Sequence, residues 1–313
     1  MNKNLPLSNI VVLDLTNVLS GPFATQILSD LGAEIIKVEK PNGDDSRKFG
    51  PFIKKRSSYF ISLNRGKKSI VVDFNNEEDK KIFKKLLAIS DVIIDNFKPG
   101  TLEKYGFSSS YLKKNFPLLI QTKISGFGET GPLKENPAYD MIVQAMGGIM
   151  SITGKNKNET YRVGSSIGDI VAGLYAVIGV LTQIIFRNQS KKGSRLDLSM
   201  LDCQVAILEN AIARYSVEKK IPCPLGTDHP SITPFGAFKT LDGTLAIAIG
   251  NNKMFKDFCY SIKNEELHKK KKYENNAKRN KNLSDLRRDI EYQMKKKKTN
   301  YWCKVFVKNK IPH

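Results

Sequence analysis

The sequence predicts an α/β protein: a Rossmann-like large domain with a parallel sheet, followed by a smaller α+β domain. Short apolar runs of strand length recur six times before residue 200. Segments with helical spacing separate several of them. The character then changes after Glu218, where Pro, Gly and turn residues gather. Nearly continuous apolar runs alternating with helices fit a parallel sheet covered on both faces. Ligands of such sheets bind at the loops leaving the carboxyl ends of the strands.

Ile10–Leu15 (IVVLDL) reads as the first strand. Gly21–Leu31 follows with helical spacing, Ile27, Leu28 and Leu31 sharing one face. Glu34–Glu39 (EIIKVE) is the second strand, and the polar, Gly-containing stretch Pro41–Arg56 is a loop. Ser69–Phe74 is the third strand, followed by a helix over Glu77–Ile89. Asp91–Asp95, Leu118–Ile124 and Arg195–Ser199 complete the set. Ile170–Phe186 is apolar, has helical length and carries almost no charge, so it predicts a buried helix. Ile221–Pro234 reads as a linker or an active-site loop, and Thr233–Ile249 as two short strands around Leu241–Gly243. The expected domains are residues 1–217 and 218–313.

Formal net charge is +20, which invites nucleic acid. The distribution argues otherwise. Ser261–His313 holds 17 Lys/Arg against 6 Asp/Glu, a surplus of 11 in the last sixth of the chain. Runs such as Lys269–Lys272 and Lys295–Lys298 are usually solvated helix faces, so no nucleic-acid partner is expected. The milder field elsewhere suits a polyanionic small molecule. Cys203, Cys223, Cys259 and Cys303 lie far apart and form no CxxC pair, as expected of thiols in a reducing cytoplasm. Three scattered histidines and these cysteines predict no metal site. No signal-peptide core precedes the first strand, and no stretch reads as long and apolar enough to cross a membrane.

Arg162–Ala176 (RVGSSIGDIVAGLYA) sets Asp169 between a Gly/Ser loop and the apolar run. Two roles are open on this stretch alone: a helix N-cap or a carboxylate nucleophile. Gly126–Gly131 (GFGETG) has the letters of a dinucleotide fingerprint, but Pro132 and a polar loop follow instead of a helix. Asn96–Gly100 (NFKPG) leaves the fourth strand where such sheets bind ligands; otherwise it is a polar turn. Lys40, Lys98 and Lys104 flank neighbouring strand ends and are either phosphate contacts or ordinary surface lysines. Tyr139 either hydrogen-bonds a substrate carboxylate or is a half-buried core residue. His229, alone in its loop, is not read as catalytic.

LTNVLSGPFATQILSDLGAEIIKVEKP, SYFISLNRGKKSIVVDF, DVIIDNFKPGTLEKYGF, SGFGETGP, PAYDMIVQAMGG, GSSIGDIVAGLYAVIGVL, DLSMLDC and GTDHPSITPFGAFKTLDG stand in the order and spacing of one family. The chain resembles the class III CoA-transferases, the group of formyl-CoA, carnitine-type and bile-acid CoA-transferases. The likeness runs from about Asn9 to Cys259 and more weakly through Trp302–Pro312. It implies an interlocked homodimer, acyl-CoA and a carboxylic acid as substrates, and no metal or redox cofactor. It implies that Asp169 is the nucleophile. It implies CoA contacts at Leu19 and Ser20, at Lys40, at Val72, Asp73 and Asn75, at Asn96, Phe97 and Lys98, at Lys104, and at Tyr139 and Asp140. The HPSITPFG loop would close over the acyl group.

The chain departs from the family pattern in four places. Asn17 stands where some relatives have His, Pro137 where formyl-CoA transferases have Lys, and Lys40 where Arg is usual. Lys keeps the charge but gives up bidentate phosphate geometry. These changes point away from formyl or oxalate substrates. Family members also run past IPH, so a segment returning to the large domain is expected to be missing. Two alternatives remain. One is an α-methylacyl-CoA racemase, which would need an acid/base pair where this chain has Tyr139–Asp140. The other is a non-catalytic protein that binds CoA or nucleic acid.

Overall fold

The computed structural model describes residues 5–313. They form two compact units. One takes the chain up to Ser151 together with Tyr161–Pro222; the other takes Ile152–Thr160 and Cys223–His313.

The first unit is built on β1 (Val11–Asp14), α1 (Ser20–Asp30), β2 (Glu34–Glu39), α2 (Ser58–Asn64), β3 (Lys68–Val71), α3 (Glu77–Ile89), β4 (Val92–Asp95), β5 (Ile120–Ser125), α4 (Asp140–Met146), α5 (Ile167–Ser190) and β6 (Arg195–Ser199). The six strands form one sheet in the order β3-β2-β1-β4-β5-β6, every neighbouring pair parallel. This is the doubly wound order of nucleotide-binding folds, with its switch point between β1 and β4. Successive side chains supply opposite faces. Val12, Ile35, Val92 and Ile94 pack with α1 and α5, while Leu13, Ile36, Ile93 and Phe83 of α3 form the core on the other face.

Helix α5 carries the largest correction to the sequence reading. It is long and apolar enough to cross a membrane by length and composition, contrary to the expectation above. Its packing gives that apolarity another use: Val171, Ala172, Ala176, Val177, Val180 and Ile184 are buried in the core. Gly173 lets α5 press against the start of α1. A Cβ there would lie 2.7 Å from the Ser20 carbonyl oxygen and 3.0 Å from the Phe23 ring. Gly173→Val is therefore expected to cost about 1–3 kcal/mol, as overpacking does, and to lower activity by moving Ser20. Urea unfolding with a parallel transfer assay checks both.

In the second unit an antiparallel pair, β7 (Phe235–Lys239) and β8 (Thr244–Ala248), shares a core with α6 (Asn252–Ser261), α7 (Leu283–Met294) and α8 (Thr299–Lys308). Phe238, Phe258, Ile290, Trp302 and Phe306 fill it, and the Trp302 indole donates to the Met294 carbonyl at 2.7 Å. The lysine-rich segments lie on its surface, where Lys270 pairs with Asp289 and Lys272 with Asp285.

Candidate active site

The loop leaving β1 is fixed from three sides. The buried Lys37 of β2 donates to the Thr16 carbonyl at 2.7 Å and stands 3.0 Å from the Asp44 carboxylate. Asp44 accepts the Val18 N–H at 3.2 Å. Across the switch point, Asn96 accepts the Asn17 N–H and donates to the Asn17 carbonyl, both at 2.9 Å. Asp14, at the end of β1, is fully buried and takes hydrogen bonds from Thr16, Thr25 and Lys67. Burial opposes its ionisation, but Lys37, Lys67 and the two hydroxyls outweigh burial and hold it below the usual carboxylate range. Val18 has φ 67°. A β-branched residue rarely adopts the left-handed region, and the cost is on the order of 1–3 kcal/mol. The surrounding hydrogen bonds keep the loop in that form.

That loop delivers Ser20 to the N-terminus of α1, where it faces Asp169. Asp169 is the third residue of α5, not its cap; the N-cap is Ser166, which makes no side-chain capping bond. The Ser20 side chain lies beside the Asp169 carboxylate and favours its ionised form, and the Asn96 amide donates to Ser20 Oγ at 3.4 Å. Burial, and then the negative charge of Asp140, push Asp169 up to about 7 against the lowering influence of Ser20. Tyr59 of α2 belongs to the same neighbourhood. Its phenol is raised by burial and then by the charges of Asp169, Asp44 and Asp140.

The structure brings Ser20, Asp140, Asp169 and Asn96 together at the carboxyl edge of the sheet. The remaining predicted residues stand beside these or on neighbouring loops along that edge. Leu19 is the N-cap residue of α1. Lys40 follows β2 and pairs with Asp45 at 2.8 Å, both about half exposed. Such a surface pair is worth roughly 0–1 kcal/mol, so it holds Lys40 only weakly. After β3, Val72 is buried, and Asp73 accepts from the backbone and side chain of Asn75 at 2.9 and 3.0 Å. After β4, Phe97 packs on the core while Lys98 and Lys104 are exposed. Tyr139 is 80% exposed. Asp140 is buried, and both its oxygens accept bonds from within the protein.

Two loops prove well anchored. In GFGETG, the Glu129 N–H donates to Asp197 at 2.9 Å and the Gly126 carbonyl accepts the Leu201 N–H at 3.0 Å. In the second unit, His229 Nδ1 accepts the Ser231 and Ile232 N–H groups at 3.1 Å each. Arg279 and Asn276 hold the backbone of Thr233. His229 thus shapes its loop.

A family model described as CoA-transferase family III matches residues 7–313. The chain belongs to this family. It is 40% identical over 309 residues to an acetyl-CoA:oxalate CoA-transferase of Acetobacter aceti, covering 98% of this chain and 79% of that protein. It is 38% identical over 315 residues to a succinyl-CoA:glutarate CoA-transferase of Homo sapiens, covering 100% of this chain and 72% of that protein. Among solved structures it is similar to a CaiB/BaiF family protein from Brucella suis. The TM-score is 0.88 at 37% identity, with 99% of this chain and 83% of that one covered.

For a family III CoA-transferase, a carboxyl that stays protonated up to about pH 7 has a stability signature. Asp169 binds its proton more tightly folded than unfolded, so stability falls as pH rises from about 4 through about 7. Asp169→Asn removes that loss. The variant should melt above wild type at pH 8, and the gap should close toward pH 4; calorimetry across this range checks it.

Proposed function

We propose that this family III chain moves CoA from a short acyl-CoA donor to a dicarboxylic acid, with Asp169 as the nucleophile. The observation that carries the reading is Asp169 itself: partly desolvated, beside Ser20, and in the first turn of α5. The relatives named above act on oxalate and glutarate, both dicarboxylates, so oxalate stays among the acceptors tested although Asn17, Pro137 and Lys40 depart from the pattern expected for it.

Asp169 attacks the donor thioester carbonyl. The C–S bond breaks, and CoA leaves as a thiolate with the electron pair. The resulting anhydride joins Asp169 to the donor acyl group. The thiolate then attacks the Asp169 carbonyl carbon, expelling the donor acid and forming an aspartyl-CoA thioester. The acceptor carboxylate attacks that carbon and releases the thiolate again. Thiolate attack on the acceptor acyl carbon yields the new thioester and restores Asp169. Every step is acyl transfer, so the scheme needs neither metal nor redox cofactor. Lys40, Lys98 and Lys104, with Asn75 and Tyr139, are assigned to CoA, where binding becomes orientation.

We further assign the chain to the cytoplasm as a homodimer, acting without nucleic acid or membrane. Leu174, Tyr175, Ile178, Ile185 and Phe186 leave α5 with an exposed apolar face, which supports pairing of subunits. All four cysteines are free thiols, which supports a reducing compartment.

The test follows thioesters by mass spectrometry. The protein is incubated with succinyl-CoA or acetyl-CoA and with oxalate or glutarate. New oxalyl-CoA or glutaryl-CoA supports the reading. Deuterium uptake at the α-carbon of a 2-methylacyl-CoA, with no new thioester, would replace it by racemisation.

A further inference from the structure

We propose that Asp140 and Gln144 are positioning residues: Asp140 caps the nucleophile's helix from a neighbouring helix, and Gln144 locks that cap. The inference rests on Asp169 being the nucleophile, and it gives Asp140 a role other than CoA contact.

The first N–H groups of a helix have no partner within it and are normally satisfied by the residue just before. In α5 that residue, Ser166, supplies no side-chain bond. The Gly168 N–H instead donates to Asp140 Oδ1 at 2.8 Å, a buried bond to a residue 28 positions earlier. Asp140 Oδ2 accepts from Gln144 Nε2 at 2.8 Å. Gln144 is fully buried, and its oxygen accepts the Val163 N–H at 2.8 Å. One turn apart on α4, the two side chains thus hold α5 at Gly168 and the loop entering it at Val163.

Gly168 is the residue that permits this grip. A Cβ there would lie 2.6 Å from Val143 Cγ2 and 3.0 Å from Asp140 Oδ1. Because Asp169 follows directly, any shift of Gly168 carries the nucleophile with it. A displacement of about 1 Å near reacting atoms can cost roughly 10²-fold in rate. The charged Asp140 of α4, the titratable Tyr59 of α2 and the neutral Ser20 of α1 lie in the surroundings of the Asp169 carboxyl. Asp140 therefore contributes both a fixed bond and a negative charge.

The test compares wild type with Asp140→Ala, Asp140→Asn and Gln144→Leu. Transfer kinetics, adduct mapping and amide exchange at Gly168 are read for each. Asp140→Ala should lower kcat by about 10²-fold, with KM for acyl-CoA changed less than about threefold. It should also expose the Gly168 amide to exchange. Asp140→Asn keeps an acceptor oxygen and should restore much of that protection. Because one charge facing Asp169 is lost, its acid limb in kcat should move to lower pH, which a merely structural role would not do. Gln144→Leu should lower kcat in the same direction, and it decides the matter if Asp140→Ala does not fold. Wild-type protection of Gly168 in the alanine variant overturns the cap, whatever the transfer assay shows. A raised KM at unchanged kcat overturns it in favour of CoA contact. Acylation of wild type at a residue other than Asp169 overturns the nucleophile reading, and adduct mapping scores that separately.

Discussion

Asp169→Ala abolishes CoA transfer, with kcat falling by about 10⁴-fold or more, as expected when a covalent nucleophile is removed. The expectation follows from where covalency enters. Every intermediate in the scheme is an acyl derivative of this carboxylate, so no neighbouring group substitutes by polarising the substrate. Asp140 cannot take over, because its two oxygens accept the Gly168 N–H and the Gln144 amide. Acyl-CoA binding should change little, since the assigned phosphate contacts Lys40, Lys98 and Lys104 lie on other loops. Equilibrium binding and transfer rates, measured on the same preparation, separate the two. In the wild type, transfer should fall away below about pH 7, where the raised Asp169 takes up its proton. A variant retaining even a tenth of the wild-type rate would remove Asp169 from the mechanism.

Lys37→Met is the substitution with the largest expected loss of stability. Lys37 and Asp44 are 1% and 0% exposed and face each other at 3.0 Å. Methionine keeps the apolar stem but leaves the Asp44 charge buried beside the orphaned Thr16 carbonyl. Removing one partner of a buried pair costs about 3–5 kcal/mol. Thr16 and Val18 are tethered through this pair, so the loop carrying Ser20 should loosen and transfer should fall as well. Equilibrium urea unfolding reads the stability. Replacing both residues, in Lys37→Met with Asp44→Leu, should recover part of the loss, because an apolar pair leaves no unpaired charge. A loss below about 1 kcal/mol for the single variant would show that water reaches the pair.

The contrast between Lys37 and Glu34–Glu39 as a whole shows how far the sequence could be read. EIIKVE is legible as a strand, and it is one, residue for residue. A lysine inside a run covered on both faces was the available signal for a buried ion pair, but its partners lie on loops that periodicity does not connect. The fifth strand begins at Ile120, two residues later than Leu118, which follows Pro117 and is exposed. Within Pro41–Arg56, a short 3-10 turn and a two-residue hairpin add local order that no apolar pattern announces. At the site, GD at the head of an apolar run singled out Asp169 but left it open between cap and nucleophile, and only the family resemblance favoured the second; Gly168 and Asp169 lie within the first turn of α5. The facing of Ser20 on Asp169 depends on α1 meeting α5 at Gly173, a tertiary contact. Tyr59 and Gln144 went unread for the same reason: each sits in an ordinary helical pattern and gains meaning only from what it faces.

The most direct measurement is intact-protein mass during turnover of succinyl-CoA, with peptide mapping and hydroxylamine cleavage. The mechanism predicts a hydroxylamine-labile adduct that forms with the donor, maps to Asp169 and is discharged when the acceptor acid is added. Accumulation of new acyl-CoA with Asp169 unmodified throughout, or an adduct mapping to another residue, would contradict it.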